Sequence, residues 1–138
     1  MNEEVKKFID RACLEEDVSL QELLSPSRLR YLSDLRAAIS LILKVEYDIP
    51  YHDISKALNK TSKASCNYVR GAYNKVLGIP SFRNLCIRLL LLTDKYDYDS
   101  NLNQILNKKI SCLLNASNQT LYNQINKNNE LLEALNKE

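Results

Sequence analysis

Few residues in this 138-residue chain could do covalent or metal chemistry: one histidine, His52, and four cysteines at positions 13, 66, 86 and 112. No two cysteines form a CxxC pair, which excludes the usual zinc frameworks, and a single imidazole argues against a Cys/His nucleophile. His52 falls at the start of a short amphipathic stretch and reads as a solvent-facing first-turn residue rather than a positioned general base. The thiols read as small buried hydrophobes. With only Gly71 and Gly78, the chain has no GxGxxG or GxxxxGK[ST] loop to cradle a nucleotide. The residues therefore point away from an enzyme, and no cofactor or metal is expected.

Charge is the remaining chemistry, and its distribution is uneven. Nineteen basic and seventeen acidic side chains leave a net charge of +2. By segment the balance is −4 over residues 1–27, +6 over 28–83 and zero over 84–138. The middle segment holds Arg28, Arg30, Arg36, Lys44, Lys56, Lys60, Lys63, Arg70, Lys75 and Arg83 against four acidic residues. A surplus of that size can neutralise several phosphates, which supplies most of the affinity of non-specific DNA binding.

The elements that must carry these charges are helices, since apolar residues recur at intervals of three and four and glycine is scarce. A first helix has Val5, Phe8, Ile9, Ala12 and Cys13 on one face. The capping box Ser19-Leu20-Gln21-Glu22 opens a short helix over 20–24, ended by Ser25-Pro26. After a loop bearing Arg28 and Arg30, Ser33-Asp34 is expected to cap a helix to about Glu46 that buries Leu35, Ala38, Ile39, Ile42 and Val45. Pro50 starts another helix over 51–58, and the polar turn Asn59-Lys60-Thr61-Ser62 leads to a helix reaching Leu77, with Val69, Ala72, Tyr73 and Val76 inward. Gly78-Ile79-Pro80 is expected to close it with a C-terminal glycine. From Ser81 a helix apolar on nearly all sides, through Leu89-Leu90-Leu91-Leu92, should lie sandwiched between layers.

After residue 96 the composition changes. Ten asparagines fall within residues 101–138, while Ile110, Leu114, Ser117, Leu121, Ile125, Asn128, Leu132 and Leu135 keep a helical stripe. Asparagine is a poor helix former, so this stripe needs a partner, either within the domain or in a second copy. The expected organisation is one domain over 1–96 and a helical extension over 97–138. The longest apolar run is four residues, far short of the ~20 that a membrane span needs. The acidic, amphipathic start of the chain reads as neither a signal nor a transit peptide, so a cytoplasmic location is expected.

Two helices over 51–58 and 62–77 with a polar turn between them read as a helix-turn-helix, whose second helix lies in the major groove. Its first turns would offer Ser62, Lys63, Ser65, Asn67 and Tyr68, with Arg70 at the flank. Asparagine pairs bidentately with adenine, while Lys63 and Ser62 suit phosphates.

The ordered blocks Leu23-Leu24-Ser25-Pro26-Ser27-Arg28-Leu29-Arg30, Asp34-Leu35-Arg36-Ala37-Ala38-Ile39, Ile54-Ser55-Lys56-Ala57-Leu58 and Ala72-Tyr73-Asn74-Lys75-Val76 resemble the C-terminal DNA-binding domain of the bacterial replication initiator DnaA. The likeness runs from about Val5 to Leu90. It implies an all-α, Trp-repressor-like helix-turn-helix fold with extra C-terminal helices. It also implies Arg28 in an A·T-favouring minor groove and Arg30, Arg36 and Lys44 near the DNA backbone, with His52 at a position close to the DNA. Lys60, in the polar turn of the basic segment, is a further candidate DNA contact. The family's recognition helix opens with Asp-His-(Ser/Thr)-Thr-Val. Here Ser65-Cys66-Asn67-Tyr68 precedes Val69, so the initiators' origin sequence is not expected to carry over. With no ATPase domain read ahead of the region of likeness, an ATP-driven initiator is not expected. The expected function is therefore duplex-DNA binding by a regulator or a replication or mobile-element accessory protein, with double-stranded DNA as partner and residues 101–138 available to pair two copies. The alternative is a helical interaction module that has kept the fold without the DNA contact.

Overall fold

A computed structural model describes residues 3–93, 95–96 and 101–117, with side chains as far as Ser111 apart from that of Tyr73. Seven helices and no strand occur among the described residues: α1 Glu3–Glu15, α2 Leu20–Leu24, α3 Arg30–Tyr47, α4 Tyr51–Leu58, α5 Ser62–Gly78, α6 Pro80–Leu91 and α7 Leu102–Ser117. The chain divides into two compact units, Met1–Asn103 and Gln104–Glu138. In the first unit α3 packs against α1, α2, α4, α5 and α6. In the second, Leu106 and Ile110 are buried. The remainder of the C-terminal stripe, from Leu114 to Leu135, lies outside the residues whose side chains are described.

Local sequence accounts for most helix ends. The Ser19 hydroxyl accepts from the Glu22 amide at 3.0 Å, so α2 begins at its capping box. Thr61 caps α5 by accepting from the Ala64 amide at 3.1 Å. Helices α3 and α4 end at Asp48 and Asn59, and Asp17 follows α1 by two residues; these three have left-handed backbones at φ of 51°, 56° and 54°. Asp and Asn are the residues that tolerate this conformation when glycine is not used. Gly78 plays no such part, because neither glycine has a positive φ and Ile79 is at once the C-cap of α5 and the N-cap of α6. The expected glycine stop is thus corrected to a direct hand-over at Ile79-Pro80, with proline at the first position of α6.

Helix α3 departs further from expectation. It starts at Arg30, with Leu29 as an N-cap that makes no side-chain bond. Asp34 does not cap it; its carboxylate accepts from Lys75 Nζ at 2.7 Å instead. Every residue from Leu35 to Leu43 is buried. The helix enclosed on all sides is therefore α3, whereas α6 keeps Ile87, Leu91 and Leu92 half-exposed. Each fully buried Leu or Ile of α3 contributes about 2 kcal/mol.

Within this apolar stretch sits one charge. Arg36 is 1% exposed, and its guanidinium donates to the carbonyls of Leu23 (Nε, 2.8 Å), Ser27 (Nη1, 2.6 Å), Glu22 (Nη2, 3.2 Å) and Ser25 (Nη2, 2.8 Å). Four carbonyls at the end of α2 thereby take the place of water around the buried cation, which would otherwise be prohibitively costly to desolvate. Lys60 Nζ donates to the same Ser25 carbonyl at 2.8 Å, joining the turn between α4 and α5 to this segment.

At the opposite end of α3, buried Glu46 accepts from the Tyr96 hydroxyl at 2.9 Å, and its backbone carbonyl accepts from Lys95 Nζ at 2.9 Å. Burial and this carboxylate push the Tyr96 phenol up to about 12. Arg11 donates to the Leu92 carbonyl at 3.1 Å and Arg88 pairs with Glu16 at 2.7 Å, so α1 is tied to the end of α6 by polar contacts as well as by its apolar face.

Replacing Arg36 by Met keeps much of the volume but strands four carbonyls. Urea denaturation should show a loss of roughly 3 kcal/mol or more, with Arg36→Lys recovering only part because an ammonium lacks the planar fork. A loss below about 1 kcal/mol would show that the loop is held without the guanidinium.

Candidate functional site

Helix α5 is the element on which the candidate site is built. Its inner edge is Ser65, Val69, Ala72 and Val76, exposed by no more than 2%. The same spacing of four, three and four, taken from Lys63, gives the outer edge: Lys63, Asn67, Arg70 and Asn74, all exposed. A 3.6-residue period places these two sets on opposite faces, so packing of the inner set fixes which side chains face solvent. Ser62 is exposed at the start of the helix, and Cys66 and Tyr68 are half-buried beside the outer edge.

Three residues, Asn59 to Thr61, separate α4 from α5. At the start of α4, Tyr51 is half-buried, and Lys44 Nζ lies 4.5 Å from its ring centroid. Its phenol is pushed upward, first by burial and then by Cys66, against the opposing charge of Arg70. Lys44, Tyr51, Cys66 and Arg70 thus form one cluster at the junction of α3, α4 and α5. His52 is exposed in the first turn of α4, as expected.

On the other side of the turn, the Ser25 carbonyl held by Lys60 brings the basic loop beside the start of α5. Arg28, Leu29 and Arg30 are exposed there. Burial, followed by the charge of Arg36, pushes the Lys60 ammonium downward. One of its donors goes to Ser25, and the half-exposed group keeps the others for solvent or a ligand.

Of the residues expected at the site, Arg28, Arg30, His52, Ser62, Lys63, Asn67 and Arg70 are exposed, and Lys44, Lys60 and Tyr68 are partly so. Two expectations are corrected. Arg36 lies inside the fold with its N–H groups on backbone carbonyls, and Ser65 is fully buried on the inner edge of α5, so neither reaches the surface. Lys75 and Arg83, which add to the segment's charge, are tied to Asp34 and Asn103. The expectation of four buried thiols holds for Cys13 and Cys86 but not for half-exposed Cys66, and Cys112 lies outside the described side chains.

Tyr51, Cys66 and Asn74 were not singled out from the sequence. Asn74 was the most accessible to that reasoning, standing seven residues after Asn67 and four after Arg70. The cleft between α3 and α6, about 190 Å³ and lined by Glu16, Tyr31, Asp34 and Arg88 among others, has both of its carboxylates engaged in ion pairs. Among the described residues, no group of three or more His, Cys, Asp or Glu side chains could hold a metal ion. Nor is any described helix long and apolar enough to cross a membrane. No protein-family model, curated protein or solved structure matches the chain.

The Ser65 hydroxyl is buried with no hydrogen-bond partner among the described residues. Ser65→Ala should therefore raise stability by about 1 kcal/mol in a denaturation experiment, since it removes an unsatisfied polar group and adds helix propensity. A second measurement concerns the thiols. Burial pushes the Cys13 thiol upward and the Cys86 thiol up to about 12, so iodoacetamide at near-neutral pH should label Cys66 in the native protein and reach the other two only after denaturation. Equal labelling of Cys66 and Cys86 in the folded state, read by peptide mass spectrometry, would contradict the burial pattern.

Proposed function

We propose that the chain is a duplex-DNA-binding protein in which α4 and α5 form a helix-turn-helix and the Arg28–Arg30 loop contacts the adjacent minor groove. The observation that supports this most is the outer edge of α5. Two cations and two amides, Lys63, Asn67, Arg70 and Asn74, stand in one exposed row, with the arginine loop near its start and Lys44 and Tyr51 beside its middle at Cys66 and Arg70. Amides and cations are the groups that read base edges and phosphates. Lys44 stands fourteen positions after Arg30 on α3, about 21 Å at 1.5 Å per residue. That length matches about six base pairs at ~3.4 Å each. The resemblance to the DnaA C-terminal domain supports the same docking, with a different target sequence because the Asp-His pair is missing. Sequence preference would come from Asn67 and Asn74 in the major groove, and affinity from the arginines and lysines. A role as a regulator or as an accessory to replication or a mobile element, without catalysis and within the cytoplasm, fits this reading.

Fluorescence anisotropy on a mixed-sequence duplex provides the test. Contacts to about five phosphates should lower the affinity roughly 500-fold between 50 and 200 mM salt. Arg28→Ala should weaken binding across many A·T-rich duplexes, whereas Asn67→Ala should cost about 1 to 3 kcal/mol mainly at one position of the preferred site. Absence of binding at the lower salt, or a flat salt dependence, would overturn the proposal and leave the helical interaction module.

A further inference from the structure

The basic loop carries a residue that charge does not explain. Leu29 lies between Arg28 and Arg30 with 56% of its surface exposed. Its backbone is well anchored: the Leu29 carbonyl accepts from the amides of Leu32 at 3.1 Å and Ser33 at 3.0 Å, and the carbonyl of Ser27, two residues earlier, is gripped by Arg36 at 2.6 Å. The side chain is thus presented from a fixed position at the N-cap of α3 rather than from a loose loop. Other large apolar residues are exposed, but their settings differ. Leu14 is followed by Glu15, Glu16 and Asp17, which a polyanion would repel, and Leu77 has no adjacent cation in sequence.

We propose that Leu29 is a wedge that enters a base step of the minor groove, with Arg28 and Arg30 holding the phosphates or groove floor on either side. This rests on the DNA-binding reading of the preceding subsection and deepens it. Apolar side chains inserted from the minor groove partly unstack a step and kink the duplex toward the major groove, and a bent duplex covers more protein surface. Two flanking arginines supply the attraction that a narrow, electronegative A·T groove rewards, and a flexible pyrimidine–purine step such as TA opens at the least cost. Leu29 therefore adds a preference for deformable steps at a position where no base edge is read. Its hydrophobic surface, unused in the free protein, is covered in the complex.

Two readouts on the full chain test this. A set of A·T-rich duplexes carries 2-aminopurine at successive positions around TA steps, and a matched duplex carries a fluorescent donor and acceptor at its ends. Binding of the unaltered protein should raise 2-aminopurine emission at one step and raise energy transfer, corresponding to a bend of about 20° or more. Leu29→Ala should abolish the emission change and reduce the bend. It should alter affinity by less than about tenfold, because unstacking offsets most of the contact that the wedge adds. Leu29→Met should retain both signals, and helicity by circular dichroism checks that each variant is folded. Binding with no emission change at any step, or an unaltered response from Leu29→Ala, overturns the wedge and leaves the DNA-binding reading intact. Failure to bind any duplex overturns both.

Discussion

The arrangement of the candidate site depends on a guanidinium that cannot touch it. Arg36 is carried into the interior by the most deeply buried helix among the described residues, and a cation there must be surrounded by oxygen. Four backbone carbonyls between Glu22 and Ser27 meet that requirement, which fixes the path of the chain immediately before Arg28. Lys60 shares one of those carbonyls, so the turn leading into α5 is referred to the same point. The two basic surfaces of the proposed interface, the loop and the start of α5, are thereby placed relative to each other by one buried charge.

Much of the helical framework could be read from the sequence because it is set by local chemistry. The bounds of α2 and α4 follow from a capping box and from Pro50, and the inward face of α1 follows from its apolar spacing. Readings that depended on tertiary partners fared differently. Ser33-Asp34 has the form of an N-cap, yet Asp34 finds Lys75 across the fold and α3 begins a turn earlier, where Leu32 can be buried. Arg36 counts as one more cation of the +6 segment, and its neighbours Leu35 and Ala37 do not signal that four carbonyls converge on it. Ser65 lies in phase with Val69, Ala72 and Val76; its polarity suggested an outward position, but the period of the helix decides its orientation.

Charge counting was informative by segment and less so by residue. The +6 region contains cations of two kinds. Arg36, Lys75 and Arg83 act as internal fasteners, whereas Arg28, Arg30, Lys63 and Arg70 are exposed. Of these, only the exposed set is open to a ligand, and the proposed function draws on it alone. A sum over sequence cannot separate the two kinds, since the difference lies in what each side chain finds nearby after folding.

The shared carbonyl of Ser25 has a thermodynamic consequence. Two positive groups, Arg36 and Lys60, converge on one neutral oxygen, and the Lys60 ammonium is pushed downward first by burial and then by the charge of Arg36. The joint between the loop and α5 thus carries two cations within reach of one oxygen. Under the proposed function a polyanion would lie across that joint, and any ligand that favours the folded chain over the unfolded one raises stability by mass action. Folding and binding would then be linked in both directions, the ligand tightening the joint that presents the surface and a looser joint weakening the grip on the ligand.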